Sequence, residues 1–288
     1  MKKYCFVVNP LSGGKDKKSI LKAITRLPFP YETVFTERPG HATQIAQSTD
    51  ADIVVAVGGD GTVSEVARGL IGTGKVLGII PCGSGDGLAL HLGISRRPKK
   101  ALRVLQEGSI KTMDYGLVDD RPFFCTMGVG LDADVAWQFD KANTRGLWTY
   151  ISLAWGIWRH FTPETYTIDV DGEKMVTSAV FVTTGNANQW GNQARICSLA
   201  SAADGLLDVT IVKPFHTWEI PSLAIKLLTG YAHKSRRTLM LRGKRITIRR
   251  PLMGPAHYDG DPCMKGTDIT VEVVPAALRV IVPEGKQI

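Results

Sequence analysis

The strongest chemical signal in the chain is Gly58-Gly59-Asp60-Gly61-Thr62, between an apolar run and a helical pattern. Glycines there let backbone approach a phosphate, and a helix N-terminus offers unpaired N–H groups with a favourable dipole. Asp60 would repel phosphate unless a divalent cation or a hydrogen-bond network intervened, so it argues for magnesium beside a nucleotide. Thr62 and Glu65 have the spacing of a capping box, which would fix the helix start. A second loop, Gly83-Ser84-Gly85-Asp86-Gly87, follows the next apolar run, and Asn9 with Ser12-Gly13-Gly14 ends the first one. Ligands of open α/β sheets bind beyond the carboxyl ends of strands, so the three loops are expected to converge on one crevice. The spacing at Lys15 does not make a P-loop, and no dinucleotide fingerprint follows the first strand. Late in the chain, Asp259-Gly260-Asp261 offers two carboxylates. Alone, Asp-Gly signals a hairpin turn; beside phosphate loops, such a carboxylate could take the proton of an alcohol.

These loops need a scaffold, and the hydrophobic pattern supplies one. Tyr4–Asn9, Tyr31–Thr36, Ala51–Val57 and Val76–Pro81 read as strands. The third has no polar alternation, as expected of a parallel strand buried on both faces. Ser19–Leu27, Ala42–Ser48 and a run through Val63, Val66, Ala67 and Leu70 read as helices. Strand, glycine turn and helix, repeated, predict a doubly wound, Rossmann-like nucleotide-binding domain over residues 1–116, which the last residues of the chain could join. From about Tyr115 strand-like runs dominate: Pro122–Thr126, Tyr166–Val170, Ala179–Thr184, Leu206–Val212, Arg245–Arg249, Ile269–Val274 and Leu278–Val282. They predict a mainly antiparallel, sandwich-like β domain over residues 117–288. Helical insertions are expected around Thr144–Phe161 and Thr217–Tyr231. In the first, Trp148, Ile151 and Trp155 share a face, read as packing on its own β domain, with contact to a bilayer as the alternative. The basic residues Lys234, Arg236, Arg237, Arg242, Lys244, Arg245, Arg249 and Arg250 either attract anionic lipid or line a solvated strand face.

The 288 residues are 44% apolar and 22% charged, ordinary for a globular chain, with a net charge of +8 that favours an anionic partner. Nucleic acid has only that charge in its favour and is not expected. Cysteines at 5, 82, 125, 197 and 263 lack any paired spacing and read as reduced thiols. No two histidines have metal-ligand spacing; His41 after Thr36, and His257 beside Asp259, are lesser site candidates. No stretch approaches the ~18–20 apolar residues that span a bilayer, so a cytoplasmic protein is expected.

Taken together, Asn9-Pro10, Ser12-Gly13, Thr36 before Gly40-His41-Ala42, Gly58 to Leu70, Pro81 with Gly83-Ser84, Asp114-Tyr115-Gly116, Phe123 to Val135, Gly185-Asn186, Asp204 to Val209 and Asp259-Gly260-Asp261 resemble the diacylglycerol kinase catalytic-domain family. That family includes bacterial lipid kinases and the sphingosine and ceramide kinases. The resemblance implies ATP in a cleft between two domains, with Asn9, Gly13, Thr36, Gly58, Gly59, Asp60, Gly61, Thr62, Glu65, Gly83 and Ser84 touching the nucleotide or shaping its loops. It implies a water-mediated magnesium network through Asp60 and Asp114, with Asp86 as a candidate substitute, because Gly87 stands where the bacterial pattern has aspartate. Asp259 and Asp261 fall on the family's D-G-E position, where carboxylates serve the acceptor hydroxyl, Asp261 standing for the glutamate. An accessory metal near the D-G-L-L-D segment would have Ser201, Asp204 and Leu206 as its counterparts. The loop Gly83 to Gly87 is closer to that of the sphingosine and ceramide kinases, which opens the acceptor to sphingoid lipids. The implied partners are ATP and a lipid on an anionic membrane surface, bound peripherally; exposed strand edges could also support a homodimer. NAD kinase, a distant relative sharing G-G-D-G-T, is the enzymatic rival, and a non-catalytic nucleotide- or lipid-binding protein is the other alternative.

Overall fold

The computed structural model describes residues 2–12, 17–142 and 147–288, and the chain divides into two compact units. One is Met1–Asp114 with Pro275–Ile288; the other is Tyr115–Val274.

The first unit is an α/β domain. Its strands are β1 (Tyr4–Val8), β2 (Tyr31–Phe35), β3 (Ile53–Gly58) and β4 (Val76–Pro81), interleaved with helices α1 (Lys17–Ile24), α2 (His41–Ser48) and α3 (Asp60–Leu70). The strands pair in parallel in the order β2-β1-β3-β4. β1, β3 and β4 are buried along their whole length, which explains their unbroken apolar sequence. Helices α4 (Gly87–His91) and α5 (Pro98–Glu107) follow β4. α5 was not foreseen, although Pro98 at its first turn and the buried Ala101, Leu102 and Leu105 are helical signals. Two strands carry the chain between units, β5 (Ser109–Val118) and, at the far end, β16 (Asp268–Val282). The end of β16 pairs with β4, Arg279 opposite Val76, so the C-terminal residues join the first sheet.

The second unit is an antiparallel sandwich. Its strands are β6 (Arg121–Phe123), β7 (Thr126–Gly130), β8 (Glu164–Val170), β9 (Glu173–Ala179), β10 (Phe181–Gly185), β11 (Leu207–Val212), β12 (Thr238–Gly243), β13 (Arg245–Arg249), β14 (Gly254–Tyr258) and β15 (Asp261–Lys265). Its helices are α6 (Leu131–Lys141), α7 (Leu147–Trp158) and α8 (Ile220–Thr229). One sheet runs β12-β11-β10-β7-β14-β15; the other contains β16, β13, β8 and β9. Alternation decides the core: Tyr166, Ile168 and Val170 of β8 and Ile246 and Ile248 of β13 point inward against Met127, Val129, Val182, Val209 and Ala256 of the facing sheet. Gly69, inside the first glycine motif, serves packing alone. A Cβ there would lie 2.6 Å from the Thr43 carbonyl oxygen and 2.8 Å from the Ala46 Cβ, so the glycine lets α2 and α3 close on each other.

Candidate active site

In the first unit the loops that follow β1, β3 and β4 are stitched together. The Asn9 amide donates to the Val57 carbonyl (3.1 Å) and the Cys82 amide to the Gly58 carbonyl (2.9 Å). Asn9 also reaches the Thr62 hydroxyl through Nδ2 at 3.2 Å. The Asp60 carboxylate spans the two glycine loops, accepting the Asp86 amide at 2.7 Å and the Gly87 amide at 2.6 Å. Only glycine permits this approach: a Cβ on Gly83 would lie 2.6 Å from the Gly59 Cα, and one on Gly59 would lie 3.1 Å from the Gly83 Cα. Gly61 is different. It is exposed in the first turn of α3, and a Cβ built there meets nothing within 4 Å. An incoming phosphate could therefore reach the helix N-terminus at Gly61.

The capping-box expectation fails. α3 begins at Asp60, with Gly59 before it and no side-chain cap. Glu65 reaches sideways, its carboxylate accepting the amides of Gly40 (2.8 Å) and Ala42 (3.1 Å), so it fixes the loop before α2. The reason is geometric: Thr62 already lies inside the helix and its hydroxyl faces Asn9. Thr36 is buried at the end of β2 with its amide on the Val8 carbonyl (2.9 Å). His41 Nδ1 accepts the Glu37 amide at 3.2 Å, a turn contact. Ser84 is exposed, and Gly13 lies outside the described residues.

Among the magnesium candidates, Asp60 has the chemistry for a hydrated cation: an acceptor-only carboxylate at the first turn of α3, beside the exposed Gly61. Asp114 is buried on β5, with Oδ1 accepting the Ala276 amide at 2.7 Å. Asp86 does not fit. Its side chain is 1% exposed, Oδ1 accepts the Gly83 amide (2.9 Å) and Oδ2 pairs with Arg96 Nε (3.0 Å). Burial pushes its carboxyl up from the ordinary range, while the Gly83 amide and Arg96 pull it down. Arg96 also donates to the carbonyls of Ser84 (2.9 Å) and Gly85 (2.5 Å). Asp86 and Arg96 thus brace the second glycine loop from within.

In the second unit Asp259 and Gly260 form the two-residue turn between β14 and β15, with φ of 51° and 88° and Tyr258 opposite Asp261. Both central residues lie at positive φ, which is the turn that the Asp-Gly pair favours. The turn is also an anchor. The Asp259 carboxylate accepts three successive amides, Phe124 (2.9 Å), Cys125 (2.7 Å) and Thr126 (3.1 Å), and its own amide donates to the Thr126 carbonyl at 2.8 Å. The Asn186 amide binds the Cys125 carbonyl (2.9 Å), and its Nδ2 the Phe124 carbonyl (3.1 Å). Three separate sequence segments therefore meet here: Phe123 to Thr126, Gly185-Asn186 and Asp259-Gly260-Asp261. Asp261 contrasts with Asp259: its side chain is 56% exposed and its Oδ2 lies 3.4 Å from Arg121 Nη2.

His257 does not turn to Asp259. Its Nε2 lies 3.2 Å from Asp132 Oδ2, which also accepts the Thr183 hydroxyl at 2.7 Å, all three residues buried. Gly128 makes room, since a Cβ there would sit 2.2 Å from Asp132 Oδ2 and 2.5 Å from His257 Nε2. Sequence reasoning missed Asp132 as a partner; the available signal was Gly128 four residues before it on a strand-to-helix junction.

Of the accessory-metal candidates Ser201, Asp204 and Leu206, Asp204 has its carboxylate already engaged. Asp204 Oδ1 accepts the Leu206 amide (3.1 Å), and Oδ2 is paired with the Arg242 guanidinium. Arg242 Nε also lies 3.3 Å from the buried Asp208, whose carboxyl is pushed up to about 6, chiefly by burial. An arginine already supplies the cation between these two carboxylates. The Ser201 hydroxyl oxygen accepts the Ala203 amide at 3.4 Å. Among the described residues, no group of three or more His, Cys, Asp or Glu side chains is arranged to hold a metal directly.

An α/β unit with apposed glycine loops at its strand ends, followed by an antiparallel sandwich, is an architecture that known proteins share. Residues 3–118 match the diacylglycerol kinase catalytic domain, and residues 125–282 match the YegS C-terminal domain, described as NAD kinase beta sandwich-like. A diacylglycerol kinase of Mycobacterium tuberculosis is 30% identical, over 96% of this chain and 94% of that protein. The YegS protein of Salmonella typhimurium is 27% identical, over 83% of this chain and 80% of its own length. A crystal structure of a diacylglycerol kinase from Bacillus anthracis superposes with a TM-score of 0.78 at 20% identity, covering 98% of this chain and 97% of that one. The chain belongs to the diacylglycerol kinase family and is by that membership an enzyme of the lipid-kinase class.

Proposed function

We propose that the chain transfers the γ-phosphate of ATP to the hydroxyl of a membrane lipid, a diacylglycerol or a sphingoid or ceramide-type acceptor, at an anionic membrane surface. The observation that carries this reading is the Asp60 carboxylate spanning the Gly59 and Gly83 loops beside the open Gly61. In phosphoryl transfer the protein mainly positions the reactants and stabilises developing charge. Magnesium, when bound, would neutralise phosphate charge, with Asp60 as its water-mediated holder and Asp114 as a supporting residue. Asn9, Thr36, Glu65 and Ser84 shape or border the nucleotide loops. On the acceptor side, Asp261 takes the proton of the lipid hydroxyl, because its carboxylate is exposed, whereas Asp259 is committed to three backbone amides. Asp259 then sets the place of Asp261 by fixing the turn. Arg242, held by Asp204 and Asp208, takes the structural part of an accessory metal.

The test is transfer of labelled γ-phosphate from ATP with magnesium to a panel of lipids in mixed micelles, with NAD as a rival acceptor. Label in one lipid class, abolished by Asp60→Ala, supports the proposal and identifies the acceptor. Label appearing in NAD alone overturns it.

A further inference from the structure

Two helices of the sandwich unit carry apolar side chains on the outside. On α7, Trp148, Ile151 and Trp155 are 83%, 46% and 50% exposed. On α8 and the short turn Thr217–Glu219 before it, Trp218, Ile225 and Leu228 are 74%, 62% and 56% exposed. These residues are not waiting to be covered by their own unit, because the inward sides of both helices are already packed. Trp158 stacks on Phe215 with ring centroids 4.5 Å apart, and with Leu227 and Phe161 it covers Val180, Phe181, Ile196, Cys197 and Val212. Trp158 Nε1 also donates to the Thr217 hydroxyl at 3.3 Å. That bond ties the end of α7 to the start of the α8 segment. Trp155, one turn before Trp158, and Trp218, next to Thr217, therefore belong to one junction.

The charge around this face has one sign. Neither α7 nor α8 contains aspartate or glutamate. Glu219, between them, is held by Arg237 through two bonds of 2.9 Å. Four basic residues are exposed nearby in the chain: Arg159 directly after α7, Lys213 directly after β11, Lys234 at the end of the short turn Ala232–Lys234 that follows α8, and Arg236 just before β12. Of the basic residues noted in the sequence, Arg242, Arg245, Arg249 and Arg250 are instead engaged within the unit, by Asp204 and Asp208, Glu272, Asp268 and backbone carbonyls respectively. Lys244, just past the far end of β12, stands apart. Arg159 follows Trp158, Lys213 donates its amide to the carbonyl of Arg237, the residue that binds Glu219 beside Trp218, and the Lys234 carbonyl accepts from Lys226 of α8 at 3.5 Å. A second copy of the chain docked on this face by a twofold axis would bring those cations together, which disfavours a dimer there.

We propose that the outer face of α7 and α8 is the surface by which the enzyme rests on an anionic lipid bilayer. It rests on the lipid-kinase reading above and names the membrane-contact surface that reading requires. Trp148, Trp155 and Trp218 enter the boundary between headgroups and acyl chains, where an indole meets apolar and polar surroundings at once. Ile151, Ile225 and Leu228 add apolar depth, and Arg159, Lys213, Lys234 and Arg236 face the headgroup phosphates. α7, at 12 residues, is too short to cross a bilayer and lies in its plane.

The experiment compares the full chain with a triple variant, Trp148→Ser, Trp155→Ser and Trp218→Ser, for sedimentation with vesicles of phosphatidylcholine alone or mixed with phosphatidylglycerol. Thermal unfolding confirms that both are folded. The expected result is binding that needs phosphatidylglycerol and weakens about tenfold or more in the variant. Turnover of a short-chain acceptor dissolved as monomer stays unchanged, while turnover of the vesicle-embedded acceptor falls. Equal vesicle binding by the two proteins overturns the proposal, as does binding that ignores phosphatidylglycerol. So does a wild-type dimer that the variant dissociates with vesicle binding unaltered. If neither protein turns over any lipid but the variant still loses vesicle binding, docking stands and the kinase reading fails.

Discussion

Asp60 in the first unit and Asp259 in the second both gather backbone amides from a neighbouring segment, yet the two arrangements differ. Asp60 opens a helix, takes two amides, and stands next to an exposed glycine with open space around it. Asp259 forms a tight turn, takes three amides from one strand approach, and leaves the exposed carboxylate to its neighbour Asp261. The same bond type therefore serves a ligand-facing loop in one unit and an anchor in the other. What separates them is the company each carboxylate keeps.

The contrast can be broken or sharpened by mutation. Asp261→Ala should give the largest effect, a fall in kcat of roughly 10²–10⁴ as for loss of a general base, with little change in Tm; steady-state kinetics and a melting curve check it. Asp259→Ala should act on stability first. It leaves three amides without their acceptor, at about 1 kcal/mol each, so about 3 kcal/mol in a urea titration of the chain. Unchanged stability in that variant would deny the anchoring role. Arg242→Ala strands the buried Asp208 and should cost about 2 kcal/mol, while EDTA should leave the Tm of the wild type unmoved. The smallest contrast lies within the first unit. Gly83→Ala forces backbone against backbone and should destabilise by about 1–3 kcal/mol, whereas Gly61→Ala should shift stability by no more than about 0.5 kcal/mol and weaken nucleotide binding instead.

Legibility in the sequence followed the same division. β1, β3 and β4 were readable because strands buried on both faces must be apolar throughout, and the glycine loops because backbone can approach backbone only without a Cβ. β9, β12, β14 and β15 were not anticipated, since Glu173-Lys174, Arg242-Gly243, Gly254-Pro255 and Asp261-Pro262 interrupt any alternation. β16 was read as two strands because Pro275 and Ala276, the latter at φ 49°, break its pattern in the middle. The Trp148, Ile151 and Trp155 stripe was expected in the core; the periodicity was right, but the inward side of α7 was already filled by Trp158. Residue types at the site were legible and their partners were not. Glu65, Asp86, Asp204 and His257 each found a partner far from the position that spacing suggested.

The division of labour between the two aspartate sites is tested most directly by calorimetric titration of nucleotide, with magnesium, into Asp60→Ala and Asp261→Ala. The account predicts that Asp60→Ala loses nucleotide binding, while Asp261→Ala binds as the wild type does and fails only in turnover. Wild-type nucleotide affinity in Asp60→Ala, or equal loss of binding in both variants, would contradict it.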